Sequence, residues 1–92
     1  MKVNFSNHAL FRMFQRSINP DIIFSGITNG KIIQTYPDDT PYPSKLFLHW
    51  DENRPIHILA SEDEESKILY IITVYEPDIE KWNDTFTERR IK

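Results

Sequence analysis

His8, Arg12 and Arg16 recur at intervals of four. In a helix that spacing places all three on one face. One imidazole and two guanidiniums in a row suit a phosphodiester: arginine grips phosphate oxygens bidentately, and histidine moves a proton. The same row would equally serve as the solvated polar face that any surface helix carries. A second group opens at Arg54-Pro55-Ile56-His57. In a strand, Ile56, Ile58 and Ala60 alternate with His57 and Leu59, so His57 points away from the face of the isoleucines. A hairpin loop of Glu64, Glu65 and Ser66 would set His57 opposite Thr73, with Tyr75 on the same side. A one-residue slip would set it opposite Ile72 instead. A His-Thr-Tyr cluster suits proton transfer and phosphate contact. The competing reading is a half-buried histidine satisfied by a backbone carbonyl.

The run Thr73-Val74-Tyr75-Glu76-Pro77-Asp78, followed by Lys81-Trp82, has the make-up of a binding-site wall. Tyr75 and Trp82 could stack on unpaired bases, although such a tryptophan more often covers the end of a core. Arg89-Arg90-Ile91-Lys92 could reach a phosphate or form a free basic end. His49 reads as structural or surface. Three dispersed histidines give no metal-ligand spacing, and two glycines give no phosphate-cradling loop. No serine has a nucleophile-elbow context. Catalysis here is therefore expected to need neither metal nor cofactor.

These residues require elements to position them. Ser6 or Asn7 is expected to cap a first helix running to about Arg16, with Ala9, Leu10, Met13 and Phe14 as its buried face. Asn19-Pro20 restarts a second helix with Ile22, Ile23 and Ile27 inward, and Asn29-Gly30 ends it in the left-handed conformation. Strands are expected at 31–36, 44–50, 54–61 and 67–75, with a proline-rich loop between the first two and an acidic hairpin tip at 62–66. After Pro77, one short helical turn is expected at 78–84. The expected fold is α+β: a helical hairpin (5–30) packed on a four-stranded antiparallel sheet (31–76), then a turn and basic tail (77–92).

Composition bounds the rest. A chain of 92 residues, of which 39% are hydrophobic, suits one domain with one core. The absence of cysteine excludes disulfides and thiol chemistry. No apolar run could span a bilayer and no leader is visible, so a cytoplasmic protein is expected. The net charge of −3 resolves into +3 over 1–36, −9 over 37–88 and +3 over 89–92. An acidic total disfavours direct duplex-DNA binding, but leaves the basic ends free to hold one or two phosphates.

The segments His8-Ala9-x-x-Arg12-Met13-x-x-Arg16-x-Ile18, Tyr36-Pro37-Asp38-Asp39-x-Pro41-Tyr42-Pro43-Ser44, Arg54-Pro55-Ile56-His57, Thr73–Asp78 with Trp82, and Arg89-Arg90 occur in order. This pattern resembles the small bacterial proteins grouped as domain of unknown function 4258. That group is similar to the RelE-like and BrnT-like toxins of type II toxin–antitoxin systems, although RelE begins with a strand and this chain is expected to begin with helices. The resemblance implies a RelE-like fold and a metal-independent endoribonuclease acting on mRNA, free or on the ribosome. It also implies a cognate antitoxin with a zinc-finger domain. The expected catalytic residues are His57 and His8 for proton transfer, Arg12 and Arg16 for phosphate charge, and Thr73 and Tyr75 for orientation. Arg54, Trp82, Arg89 and Arg90 are the expected RNA contacts. Two rival expectations are a protein-binding module without turnover and an RNA-binding protein without catalysis.

Overall fold

The computed structural model describes residues 2–91. Its elements are β1 (Lys2–Phe5), α1 (Asn7–Gln15), α2 (Pro20–Asn29), β2 (Lys31–Tyr36), β3 (Ser44–Asp51), β4 (Arg54–Asp63) and β5 (Ile68–Tyr75). The sheet has five strands in the order β1-β5-β4-β3-β2. The expected α+β class holds, but the expected four antiparallel strands are corrected. The chain begins with a strand, and β1 pairs parallel to β5. Four residues are too few to show a period. Val3 and Phe5 nonetheless pack on the core, while Lys2 before them is exposed and Asn4 between them is half-buried.

Both helices cover one face of the sheet, α1 against β5 and α2 against β3 and β4. Between the layers lie Ala9, Met13, Ile18, Ile23, Phe47, Ile56, Ile58, Ile71 and Val74. The expected buried face of α1 is half right. Ala9 and Met13 are buried, but Leu10 is 48% exposed and Phe14 86% exposed. The short α1 packs against the single strand β5, so only a narrow stripe meets the core. Both N-caps form as expected: Ser6 Oγ accepts from the Ala9 N–H at 2.9 Å, and Asn19 Oδ1 from the Ile22 N–H at 3.0 Å. Gly30 is not left-handed; its φ is −71°. A side chain there would meet the Gly26 carbonyl and lie 2.9 Å from the Leu48 carbonyl oxygen, so close approach and not handedness demands glycine.

The hairpin register also differs. Asp63 pairs with Ile68, leaving four residues in the loop, and Ile72 bulges between the pairs Ala60–Ile71 and Leu59–Thr73. His57 therefore lies opposite Tyr75, not Thr73. The expected helical turn at 78–84 is a single hydrogen-bonded turn closed on the Asp78 carbonyl. A loop follows in which Trp82 bridges to Arg89. This C-terminal segment lies on the sheet face opposite the helices. Among the described residues, no helix is long and apolar enough to cross a membrane.

Candidate functional site

Ser6 determines where His8 sits. Its backbone N–H bonds to the Ile71 carbonyl at 3.0 Å, and its hydroxyl donates to the Ile72 carbonyl at 2.8 Å. The same hydroxyl caps α1, so the helix starts beside the bulge in β5. There His8 Nε2 lies 2.9 Å from Thr73 Oγ1, on the surface. The bulge is what turns Thr73 toward this edge. Arg12 follows one turn along α1, half-buried, and among the described residues its side chain hydrogen-bonds only Gln15, at 3.5 Å. Arg16 is exposed at the helix end. Neither arginine has an acidic partner among the described residues. The result is an open row of three basic side chains with a hydroxyl at its head.

His57 is the opposite case, with no exposed surface. Its Nε2 lies 2.8 Å from the Phe86 carbonyl and its Nδ1 lies 3.1 Å from the Tyr75 hydroxyl. A carbonyl can only accept, so Nε2 carries the hydrogen and neutral Nδ1 accepts from Tyr75. The Trp82 ring packs edge-on, with centroids 4.4 Å apart. Burial pushes the His57 pKa down, opposed by the Phe86 carbonyl. Burial pushes the Tyr75 hydroxyl up; the nearby Tyr36 adds to this and Arg89 opposes it. His57 and Tyr75 thus fasten the C-terminal segment to the sheet, a satisfied pair with no free ring nitrogen.

Arg54 spends its donors on the fold. One terminal nitrogen donates to the Arg16 carbonyl at 2.6 Å and reaches Glu76 at 3.4 Å; the other donates to the Ser17 carbonyl at 3.2 Å and to Asp51 at 3.1 Å. It closes the C-terminal end of α1, where backbone carbonyls lack helical partners. Trp82 is only 8% exposed, and Arg89 lies 5.6 Å over its ring. Arg90 donates to the Ile79 carbonyl at 2.8 Å and pairs with Asp84 at 2.9 Å.

Eight of the ten expected residues therefore fall into two groups, and Arg54 and Arg90, each bonded to backbone carbonyls, lie in neither. His8, Thr73, Arg12 and Arg16 share the α1–β5 edge, while His57, Tyr75, Trp82 and Arg89 lie in the seam beneath the C-terminal segment. The competing reading of His57, satisfied by a backbone carbonyl, holds, but sequence reading did not identify Phe86 as its source and missed the pairing of Arg54 with Glu76. A backbone acceptor has no sequence signature, and Glu76 stood within a motif without a partner to suggest its role. Among the described residues, no three His, Cys, Asp or Glu side chains gather as a metal-ligand set.

The chain belongs to the family described as Domain of unknown function (DUF4258), whose model matches residues 5–76. The matched span includes the whole α1–β5 edge and ends before Trp82, Phe86 and Arg89. No curated protein and no solved structure matches the chain.

Proposed function

We propose that this chain is a RelE-like, cytoplasmic endoribonuclease of the toxin type, with its phosphodiester site on the α1–β5 edge. One observation carries the reading: exposed His8 is held by Thr73, with Arg12 and Arg16 following on the same helix face and, among the described residues, no carboxylate paired with either arginine. RNA supplies its own nucleophile. His8 would take the proton from a 2′-hydroxyl as that oxygen attacks the adjacent phosphorus, and the bond to the 5′-oxygen would break. The departing 5′-oxygen takes a proton from water or from the imidazolium, leaving a 2′,3′-cyclic phosphate. Arg12 and Arg16 would hold the phosphate and its developing charge. Thr73 fixes Nε2, so Nδ1 would meet the substrate. His57 then acts as a positioning residue through Tyr75 and the C-terminal segment. A cognate antitoxin would be the natural partner.

The test is expression with and without induction, alongside incubation of the purified chain with RNA. Growth arrest and 2′,3′-cyclic ends, both lost in His8→Ala and Arg12→Ala variants that remain folded, are expected. Arrest that persists in both variants would remove the assignment. Leu10, Phe11 and Phe14, 48%, 58% and 86% exposed on the same helix, favour a second reading: a protein-binding module without turnover. That reading requires partner binding with RNA left intact.

A further inference from the structure

On the sheet face opposite the helices, a cavity of about 450 Å³ lies between β4, β5 and the loop before β3. Ser44 and Ser61 line it, 2% and 6% exposed, and they are cross-strand partners. Their side chains therefore rise side by side from the pleat. Tyr70, the next partner across the sheet, stacks on Tyr42 with planes 2° apart and centroids 5.8 Å apart. Ile72, turned out by the bulge, completes the wall. The only charged lining residue is Asp39, so the cavity would repel a phosphate. The larger groove, about 570 Å³, is rimmed by Glu62, Asp63, Glu64 and Glu65 and suits a polyanion still less.

We infer that the Ser44–Ser61–Tyr70 cavity binds an unpaired nucleobase. Paired hydroxyls can each donate or accept, which matches the mixed donor and acceptor edge of a base. The aromatic wall offers a stacking surface, the usual means of holding single-stranded RNA. Tyr70 lies three residues from Thr73 along β5, about 10 Å at strand spacing. A base in the cavity would therefore place a neighbouring phosphate near His8. The inference rests on the proposed RNA-cleaving role and names how the substrate is anchored.

Free nucleosides, which carry no phosphate, isolate the cavity. Adenosine, guanosine, cytidine and uridine are each titrated into the protein while the ring resonances of Tyr42 and Tyr70 are followed by NMR. In parallel, a short single-stranded oligoribonucleotide is titrated into the protein and its Arg12→Ala and Arg16→Ala variants. At least one nucleoside is expected to shift Tyr70. Binding should weaken about tenfold in Ser61→Ala and tenfold or more in Tyr70→Leu. Tyr70→Phe keeps the ring and should retain binding, which guards against a folding defect in the leucine variant. Silence at Tyr70 with all four nucleosides, while the oligonucleotide binds through Arg12 and Arg16, overturns the inference and leaves the proposed site standing. Shifts at Tyr70 with oligonucleotide binding indifferent to both arginines support the cavity and overturn the phosphate site.

Discussion

Replacing His57 with leucine separates a structural histidine from a catalytic one. The substitution removes both ring hydrogen bonds, leaving the Phe86 carbonyl and the Tyr75 hydroxyl without their partner. Each buried polar group so stranded costs about 1–3 kcal/mol. Leucine refills much of the imidazole volume, so the cavity contribution is small. A total of about 3 kcal/mol is a fair expectation, and for a domain of this size it lowers Tm by about 12–24 °C. Thermal unfolding followed by circular dichroism at pH 7.5 reads it directly, with no RNA present. The pH dependence adds a signature. The folded-state pKa of His57 is lowered by burial, so below about 6.5 the unfolded chain binds the proton more readily. The stability that His57 contributes is complete above that value and is lost as pH falls toward the folded-state pKa. Subtracting the His57→Leu profile from that of the parent isolates this loss from His8 and His49. A variant that unfolds within about 1 kcal/mol of the parent, with the same acid limb, would refute the fastening role and return His57 to the list of reactive groups.

Three further outcomes are expected. Arg54→Met should lower stability by about 1–2 kcal/mol, discounted for partial exposure and screening, and urea unfolding measures it; an unchanged midpoint would mean that the carbonyls of Arg16 and Ser17 are satisfied by water. Arg12→Ala and Arg16→Ala should leave Tm nearly unchanged, while each reduces the slope of log affinity for single-stranded RNA against log salt by about 0.7; a filter-binding salt series that shows equal slopes excludes them as phosphate ligands. Gly30→Ala should destabilise by about 2 kcal/mol or more, because the new methyl meets the carbonyls of Gly26 and Leu48; normal thermal unfolding would contradict the close approach.

The elements with strong local signals were legible in the sequence. Ser6 and Asn19 cap where their side-chain chemistry directs, and the short apolar runs after Gly30, set off by turns and prolines, become β2 to β5. β1 was not legible because its stability is nonlocal. Four residues acquire a partner only when Ile68–Ile71 arrives from the far end of the chain. The His57 register failed for a related reason. Loop length and the Ile72 bulge together shift the pairing by two residues, and neither is encoded by alternation alone. The parity survived that shift, which is why His57 was correctly placed on the face away from Ile56 and Ile58. The site was legible as residue types but not as a partition. Spacing identified two histidines without showing that one would be covered by a segment some thirty positions later, as the Phe86 contact shows.

That partition governs the chemistry. A proton-moving imidazole needs a ring nitrogen that a substrate can reach, together with a partner that holds the ring. His57 has two partners, no exposed surface and a pKa displaced against protonation. His8 has one partner, Thr73, and stands at the surface. The bulge at Ile72 serves both arrangements, since it brings Thr73 to the edge where Ser6 starts α1 and brings Tyr75 beneath the C-terminal segment. The two histidines are therefore linked through one strand: His57 secures the end of β5 through Tyr75, and β5 presents Thr73 to His8. Loosening His57 should therefore impair the proposed proton transfer at His8 while leaving its exposure unchanged. Ring resonances of His8 at unchanged chemical shift in a still-folded Tyr75→Phe variant, with reduced RNA turnover, would show the positioning role; equal turnover would confine the His57–Tyr75 pair to stability alone.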